Sequence, residues 1–581
     1  MHTAGRRPSE TLDVATRRTH LHDSAKFSGG TIASLIDAQR SRAIRVAEGL
    51  WRRDAGVWSN DPKVRQAIAN RLGWMVAPPS MLPALERVRA FADRVRQDGF
   101  TDVVLLGMGG SSLAPEVLRA IVGVQAGWPS LHVLDSTDPA AVLAAHTPPA
   151  TTLYLLASKS GTTIEPNSLA AYFQQRLLRE GVSSWQSHFV AITDEGTALA
   201  HRARTEGFRD VFINPSDIGG RFSAVSLFGL VPSALMGQDV AAMVDWAAAM
   251  LEVAAPGSGD VSTNPAVGLG LLMGAAARAG RDKLTLQMSP ALSAFGLWVE
   301  QLVAESTGKN GVGIVPVSGE PPAIADSGRD RVVVRLCAGW LGEKPAAPVN
   351  GDAPTATFVV PELAALGAEF VRWEIATAVA GALLDVNPFD EPNVQQAKDA
   401  TRVLLAEHRA NGRLPMPEPD RSHEGVALSL SVAARHRLGA DPPDQFLKTA
   451  GSGDYVTVLA YLGPSAETDA VLNDFRSAVA VRTGLATSVG KGPRYLHSTG
   501  QLHKGGANTG VFVLVTATPA QDLEVPGEAF SFGTLELAQA LGDFSSLDGT
   551  GRRALHVHLP APDAGLLRRS LDRLLTALAR R

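Results

Sequence analysis

The sequence is poor in cysteine, in net charge and in long hydrophobic runs, and each deficit excludes a class of protein. Cys337 is the only cysteine, so no internal disulfide can form, and a cytoplasmic protein is expected. The 54 basic and 58 acidic side chains give a formal charge of −4, which provides no overall attraction for nucleic acid or anionic lipid. Hydrophobic residues make up 45% and charged residues 19% of the chain, which excludes disorder and collagen.

Membrane spans, leader peptides and several ligand motifs are missing as well. The uncharged stretch 139–158 is interrupted by prolines and threonines, so no membrane helix is expected. Residues 1–26 mix arginines with acids and contain no apolar block, which fits neither a signal nor a transit peptide, and we expect a flexible tail over residues 1–30. The chain contains no GxGxxG, GxxxxGK[ST] or HExxH motif, so neither a cofactor nor a metal is implied.

Hydrophobic spacing predicts an α/β protein. Residues 31–98 carry apolar residues at three- and four-residue spacing, which predicts lead-in helices. Short apolar runs then alternate with helical segments, and strands are predicted at 102–107, 131–135, 152–157, 188–193 and 211–214. Because continuously apolar strands are buried on both faces, we expect a doubly wound parallel sheet of about five strands within residues 99–253.

The rest of the chain predicts two further α/β units. A second domain is expected over residues 254–410, with strands at 283–288, 312–317, 331–336 and 356–360. A smaller C-terminal α/β domain is expected over 411–581, with strands near 455–462, 511–516 and 555–559. At about 150 residues per domain, a length of 581 residues allows this number.

Two strand-to-helix turns carry residues that suit an anion. The first is Gly107-Met108-Gly109-Gly110-Ser111-Ser112, and the second is Ser158-Lys159-Ser160-Gly161-Thr162-Thr163. Small residues let the backbone approach a ligand, while hydroxyls and free amides at a helix N-terminus suit a phosphate. Either turn alone is also compatible with a tight turn or an N-cap cluster that binds nothing. Two such turns at the carboxyl ends of successive parallel strands favour a phosphate site.

These turns and three later segments together resemble the sugar-isomerase (SIS) domain family, and within it the phosphoglucose isomerases. The later segments are Gly219-Gly220-Arg221-Phe222-Ser223, Glu305-Ser306-Thr307-Gly308-Lys309, and residues 387–392 leading to Lys398. The resemblance is strongest to the isomerase half of bacterial transaldolase and phosphoglucose isomerase fusions, through residues 50–59, 70–74 and 495–510. The residues before this region are too few for a transaldolase barrel of about 250 residues, so only isomerase activity is expected.

The resemblance implies two SIS domains and a glucose-6-phosphate isomerase of glycolysis and gluconeogenesis that needs no cofactor and can form a homodimer. Glu305 is implied as the base that moves a proton between C1 and C2 of the open-chain sugar through an enediolate. Arg221 would stabilise the enediolate, and Lys398 would assist ring opening. The sugar phosphate would be bound by Gly110, Ser111, Ser158, Lys159, Ser160, Thr162, Thr163 and Gln301.

The ring-opening histidine departs from the family pattern. The resemblance places it between the base and the lysine, but residues 306–397 contain no histidine. His503 is the first candidate to replace it and His497 the second, since an imidazole can relay a proton near neutral pH. Both histidines lie in a polar, glycine-flanked segment, residues 484–510, which is expected to be a long functional loop. A His503 that only braces this loop is an equally open interpretation, in which Lys504 is available to reach the phosphate.

Two further positions carry expectations of their own. Glu391 stands where many relatives carry glutamine, and its carboxylate is available to pair with a nearby cation. Lys398 shares a helix face with Val394, Thr401 and Leu405, so it is expected to point toward protein rather than water.

Two alternative functions stay open. One is an isomerase of broader sugar choice that also takes mannose 6-phosphate, because only a few hydroxyl contacts separate such substrates. The other is a sugar-phosphate-binding regulator that kept the fold without catalysis. Glu305, Arg221 and Lys398 favour an enzyme, because a pure binding protein has no evident need for them.

Overall fold

The computed structural model describes residues 13–321, 324, 328–344 and 352–578. Its helices are α1 (Val14–Asp23), α2 (Ala33–Trp51), α3 (Pro62–Ala69), α4 (Ala77–Gln97), α5 (Leu113–Ile121), α6 (Pro139–Ala144), α7 (Ile164–Arg179), α8 (Ala198–Glu206), α9 (Leu227–Leu235), α10 (Val240–Val253), α11 (Val267–Arg278), α12 (Phe295–Thr307), α13 (Leu366–Leu383), α14 (Val394–Asn411), α15 (Val432–Leu438), α16 (Ala466–Thr483), α17 (Gly500–Gly505), α18 (Phe532–Gly549) and α19 (Ala564–Leu575). Its strands are β1 (Lys26–Ser28), β2 (Asp102–Gly107), β3 (Ser130–Leu134), β4 (Thr152–Ala157), β5 (Phe189–Asp194), β6 (Asp210–Asn214), β7 (Lys283–Met288), β8 (Val315–Ser318), β9 (Arg331–Ala338), β10 (Thr355–Val360), β11 (Arg421–His423), β12 (Val426–Leu430), β13 (Tyr455–Tyr461), β14 (Ala486–Lys491), β15 (Gly510–Ala517) and β16 (Arg553–Leu559).

The first sheet confirms the predicted doubly wound α/β domain. Its strands are all parallel and run in the order β3-β2-β4-β5-β6. The central strand β4 is buried at every residue, as its unbroken apolar sequence predicted. The strand order reverses between β2 and β4, and ligands of open α/β sheets bind outside the carboxyl ends of strands at such a switch point. Both Gly/Ser/Thr-rich turns therefore open at this point.

The second sheet includes part of the segment that was expected to be a flexible tail. Its order is β1-β10-β9-β7-β8, and β1 pairs antiparallel with the edge strand β10. Helix α1 precedes β1 and is capped by the Asp13 side chain, so the expectation of a flexible tail is wrong for residues 13–30. The physical reason is edge protection: Phe27 packs against Phe358 at 5.8 Å and β1 covers the exposed backbone of β10. Residues 1–12 lie outside the described residues.

The third sheet forms the C-terminal α/β domain and contains more strands than the sequence revealed. Its order is β11-β12-β16-β15-β13-β14, with β13, β15 and β16 at the three predicted places. Strands β11, β12 and β14 were missed, and β14 lies in a segment that was expected to be a long loop between residues 484 and 510. That segment instead contains β14, a short 3-10 turn over Arg494–His497 and helix α17.

The C-terminal domain packs onto both SIS domains. Apolar side chains form part of the contact, and at one crossing two helix backbones approach each other closely. Val315 and Val317 of β8 share one core with Tyr455, Tyr495 and aromatic neighbours of the third sheet. Helix α18 crosses α14 closely at Gly542, where a Cβ atom would lie 3.1 Å from the backbone nitrogen of Thr401. The docking places the turn 494–497 at the edge of the first sheet.

Among the described residues, none of the helices is long and apolar enough to cross a membrane. Nor do these residues contain a group of three or more His, Cys, Asp or Glu side chains arranged to hold a metal ion.

Candidate active site

A polar cavity of about 480 Å³ opens at the switch point of the first sheet. The three structural units contribute to it, and its walls contain most of the residues that the sequence singled out. They are Arg71, Met108, Gly109, Gly110, Ser111, Ala157, Ser158, Lys159, Ser160, Thr163, Pro166, Asp194, Glu195, Thr197, Ser216, Gly219, Gly220, Arg221, Phe222, Gln301, Glu305, Phe389, Glu391, Val394, Lys398 and His497. The volume and the polar lining are those of a small-molecule site.

The hydroxyl-rich turn after β4 presents unused donors to this cavity. The Ser158 hydroxyl donates to Thr163 Oγ1 at 3.3 Å and accepts from the Gly161 amide at 3.1 Å, which fixes the shape of the turn. Thr163 occupies the N-cap of α7 but its side chain makes no capping bond, so the first amides of the helix remain available. A helix N-terminus of this kind stabilises a phosphate through its amides and its dipole.

The Lys159 side chain is already paired with protein groups at the edge of the cavity. Its ammonium forms an ion pair with Asp194 and donates to the Ser216 carbonyl at 2.9 Å. Burial lowers the pKa of Lys159, and the Asp194 contacts only partly oppose this effect. A contribution of this residue to phosphate binding therefore falls to the backbone of Lys159.

The glycine-rich turn after β2 lets two backbones touch. A Cβ atom on Gly110 would lie 2.0 Å from the Gly220 carbonyl oxygen, so a larger residue cannot occupy this position without moving the Arg221 segment. Gly109 has a φ of 53°, in the left-handed region that favours glycine. These two glycines bring the Ser111 turn and Arg221 onto the same wall of the cavity.

Glu305 and Arg221 form a buried pair on the wall of the cavity. Arg221 Nη1 lies 3.2 Å from Glu305 Oε1, and the two side chains are 5% and 10% exposed. The guanidinium is held by its Nε on the Ser306 hydroxyl at 2.8 Å and by its Nη2 on the Pro388 carbonyl at 2.7 Å. Arg221 therefore offers a fixed positive charge next to a carboxylate that has little access to water.

Glu391 completes an acid pair around the same guanidinium. Arg221 Nη1 donates to Glu391 Oε2 at 3.1 Å, which is the cation pairing expected for a glutamate here. Burial raises the pKa of Glu305, against the attraction of Arg221 and with added repulsion from Glu391. Burial acts in the same direction on Glu391, but Arg221, Arg71 and Lys309 outweigh it and lower the pKa of Glu391. A raised pKa makes Glu305 competent both to accept and to return a proton near neutral pH.

Lys309 is a structural cation that the sequence analysis left without a role. Its ammonium donates to the Asn387 carbonyl and to Asp390 Oδ1, both at 2.6 Å. Burial lowers the pKa of Lys309 to about 8, and the repulsion from Arg221 adds to this shift. These bonds hold the loop that carries Glu391.

His497 enters the cavity from the C-terminal domain and is paired with a buried acid. Its Nε2 lies 2.8 Å from Glu165 Oε1, at the first turn of α7. Burial alone would raise the pKa of Glu165, but His497 and Lys398 outweigh it and the pKa is lowered. Gln301 joins the two halves of the site, because its Nε2 donates to the His497 carbonyl at 2.7 Å and to Glu305 Oε2 at 3.1 Å.

The structure places His503 outside the cavity. It is 3% exposed and packs against Phe512 at 5.0 Å, and burial lowers its pKa well below the usual range. Its neighbour Lys504 is buried in an ion pair with Asp543 and cannot reach a phosphate in the cavity. The preference for His503 over His497 is thus not supported by the geometry, because a six-residue separation on a turn and a short helix directs the two rings to different sides.

Lys398 and Thr162 occupy the rim of the site. Lys398 is exposed, which contradicts the expectation that it points toward protein; Val394 and Thr401 are buried instead. Lys398 and His497 line both the main cavity and an adjoining groove of about 510 Å³. Thr162 lines only this groove.

Arg71 is a charged cavity residue that the sequence analysis did not single out. It belongs to the NRLGW segment at 70–74, which was used only for its resemblance. Its guanidinium lines the cavity and makes no ion pair or hydrogen bond among the residues described here, so its charge is available to a ligand. The sequence offered one signal for this residue: it is the only charged residue of the segment 70–74, which had been noted for its resemblance to the family.

The two doubly wound domains, with the phosphate-suited turns at their shared cavity, have the fold of the sugar-isomerase (SIS) domains. A family model described as phosphoglucose isomerase matches residues 78–315. A glucose-6-phosphate isomerase from Nostoc sp. is 27% identical over 415 residues, which cover 61% of this chain and 77% of the relative. One from Rubrobacter xylanophilus is 28% identical over 401 residues, covering 59% and 92%.

A solved structure agrees with this assignment of the fold. A hypothetical protein from Thermus thermophilus superimposes with a TM-score of 0.55 and 25% sequence identity. The match covers 66% of this chain and the whole of that one. The resemblance inferred from the motifs is therefore confirmed at the level of family and fold.

Proposed function

We propose that the protein is a glucose-6-phosphate isomerase that interconverts glucose 6-phosphate and fructose 6-phosphate in the cytoplasm, in glycolysis and gluconeogenesis. The observation that carries the proposal is the meeting of two acid-containing pairs on one cavity. Glu305 with Arg221 supplies a base beside a fixed cation, and His497 with Glu165 supplies an oriented imidazole. The curated relatives that carry this activity in their names support the same choice.

The phosphate of the substrate would be bound at the start of α7. Ser158, Ser160 and Thr163 offer hydroxyls there, and the backbone amides of the turn add donors. Ser111 lies on the neighbouring turn, and Arg71, which pairs with no residue in the described part of the chain, adds a cation to neutralise the dianion. Thr162 is assigned to the rim of this subsite, because it lines the adjoining groove.

Ring opening would be carried out by His497 with Lys398. The imidazole takes the proton of the anomeric hydroxyl, the C1–O5 bond breaks in an aldose ring, and a proton is delivered to O5. Glu165 holds the imidazole and stabilises its positive charge while it carries the proton. In this chain the histidine comes from the C-terminal domain of the same polypeptide, which gives that domain a part in the reaction.

Proton transfer would then be performed by Glu305. The carboxylate removes the proton from C2 of the open-chain aldose, and the C1 carbonyl oxygen takes up the electron pair as an enediolate. Arg221 stabilises the developing oxygen charge from its fixed position. Glu305 returns the proton to C1 while a second proton moves between the two oxygens, which gives the ketose with no change in oxidation state overall. Gln301 orients the Glu305 carboxylate through its 3.1 Å bond.

The alternative of a regulator that binds sugar phosphate is disfavoured by the buried base. A binding protein gains nothing from a carboxylate with a raised pKa beside a desolvated arginine, since this arrangement costs folding free energy. A wider choice of sugar depends on hydroxyl contacts in the same cavity, and mannose 6-phosphate is the substrate to compare.

The test is conversion of fructose 6-phosphate to glucose 6-phosphate, coupled to a glucose-6-phosphate dehydrogenase, with a chelator present. We expect turnover in the wild type and its loss in the Glu305→Gln variant. A folded wild type with no turnover of either hexose phosphate, but with tight binding, would instead establish the regulator. Full activity in Glu305→Gln would refute the assigned base.

A further inference from the structure

We propose that Gln539, on helix α18 of the C-terminal domain, is a positioning residue for ring opening that acts through Glu165 on the imidazole of His497. The inference rests on the proposed function, because it concerns the proton relay assigned there to His497. It extends that function to helix α18 of the C-terminal domain, on which the orientation of His497 would depend.

Two donors meet at one oxygen of Glu165. Gln539 Nε2 donates to Glu165 Oε1 at 2.7 Å, and His497 Nε2 lies 2.8 Å from the same atom. Glu165 and Gln539 are both 3% exposed, so water does not compete for this oxygen. Hydrogen bonds to an ionised carboxylate are among the stronger ones in proteins, and two of them on one atom fix the carboxylate and hence the ring that it holds.

The orientation of the Gln539 amide is itself determined by a further bond. The hydroxyl of Thr137 donates to Gln539 Oε1 at 2.9 Å, which leaves the amide NH₂ group facing Glu165. Thr137 has no exposed surface and lies between β3 and α6 of the first SIS domain. The chain Thr137, Gln539, Glu165, His497 therefore alternates between the first SIS domain and the C-terminal domain, so that each domain orients a residue of the other.

A neutral donor suits this position. Glu165 and His497 form a carboxylate–imidazole pair, and a cation in place of Gln539 would compete with the imidazolium for the charge of Glu165. Glu536 lies three residues before Gln539 on α18 and interacts with Asp138 of the first SIS domain. Burial raises the pKa of both acids, and the repulsion from Asp138 raises that of Glu536 further. Gln539 thus holds the carboxylate without altering the charge of the pair.

The decisive variant is Gln539→Leu, which keeps the side-chain volume and removes the donor. Loss of a hydrogen bond to a charged group predicts a decrease in kcat for glucose 6-phosphate of about 10- to 100-fold, with KM changed by less than about threefold. A substrate deuterated at C2 separates ring opening from proton transfer. If ring opening has become the slow step, the primary isotope effect on kcat falls toward 1 in the variant.

Two companion variants control for damage to the fold. Thr137→Val has the same shape and removes only the hydroxyl that orients Gln539, so we expect a smaller change in the same direction, and it decides the question if Gln539→Leu does not fold. Gln238→Leu removes a buried glutamine whose amide donates to the Leu118 and Gly123 carbonyls, away from the relay. It should keep the wild-type isotope effect even if it lowers the melting temperature.

The outcomes separate this inference from the proposed function. A wild type without isomerase activity overturns the function, and the inference with it. An active wild type whose kcat and isotope effect are unchanged in Gln539→Leu or, where that variant does not fold, in Thr137→Val overturns the inference alone. A lower kcat with an unchanged isotope effect shows that Gln539 acts only as a structural residue, which also overturns it.

Discussion

The assignment of the proton relay is tested by replacing His497 and His503 one at a time. His497→Gln and His503→Gln remove an imidazole from the same short segment, and each replaces it with a neutral amide. In His497→Gln the new amide can still donate to Glu165, so the buried carboxylate keeps a partner and the fold is preserved. The substitution therefore removes the ability to relay a proton and little else.

The expected magnitude follows from the two environments. General acid–base catalysis by a positioned side chain contributes about 10²- to 10⁴-fold, so kcat of His497→Gln should fall by that factor, or about 3 to 5 kcal/mol in barrier. The His503 ring packs instead among Phe512, Tyr495 and Tyr455, away from the cavity. A buried amide in that aromatic setting should cost about 1–3 kcal/mol of unfolding free energy and leave kcat within about threefold.

The assay is the coupled conversion of fructose 6-phosphate, with denaturant unfolding of both variants measured in parallel. Normalising the rate to folded protein separates catalysis from stability. The reasoning fails if His503→Gln loses turnover while still folded, or if His497→Gln retains wild-type kcat. The first result would return the relay to His503, which the sequence first favoured, and the second would show that His497 does not carry it.

Three further predictions concern acids and cations of the site and its support. Glu305→Gln should lower kcat by about 10²- to 10⁴-fold with a small change in KM, measured in the same assay, and an equal loss confined to KM would contradict a role as base. The wild-type kcat/KM should fall as pH decreases through the raised pKa of Glu305, because the base must be ionised. Glu391→Gln removes a repulsion that helps to raise this pKa, so the acid limb of the pH profile should move to lower pH. An acid limb that stays in place or moves to higher pH would contradict the coupling between the two acids. Lys504→Met should lower the free energy of unfolding by about 3–5 kcal/mol in a denaturant titration, because Asp543 then stays buried without its cation; a change below about 1 kcal/mol would show that the pair contributes little.

The fold was readable from the sequence where one physical signal dominated. Continuous apolar runs predicted β2 and β4 to within a residue, because strands buried on both faces need apolar side chains at nearly every position. Strand β14 was missed because its sequence, ATSVGK, is half polar and ends in glycine and lysine. Strand β1 was missed because three residues form a strand only when the edge of β10 is present to pair with them.

The candidate site divides in the same way. The sequence by itself marked the turns after β2 and β4, since residue type and local spacing are enough to indicate an anion-binding helix start. It pointed to Glu305 and Arg221 through the family resemblance, and the structure brings these two side chains together on one cavity. Only the tertiary structure decided which histidine reaches the cavity. His497 and His503 carry the same chemistry, and their roles differ because a turn and a short helix, docked on distant residues such as Glu165, direct one ring into the cavity and the other into an aromatic core.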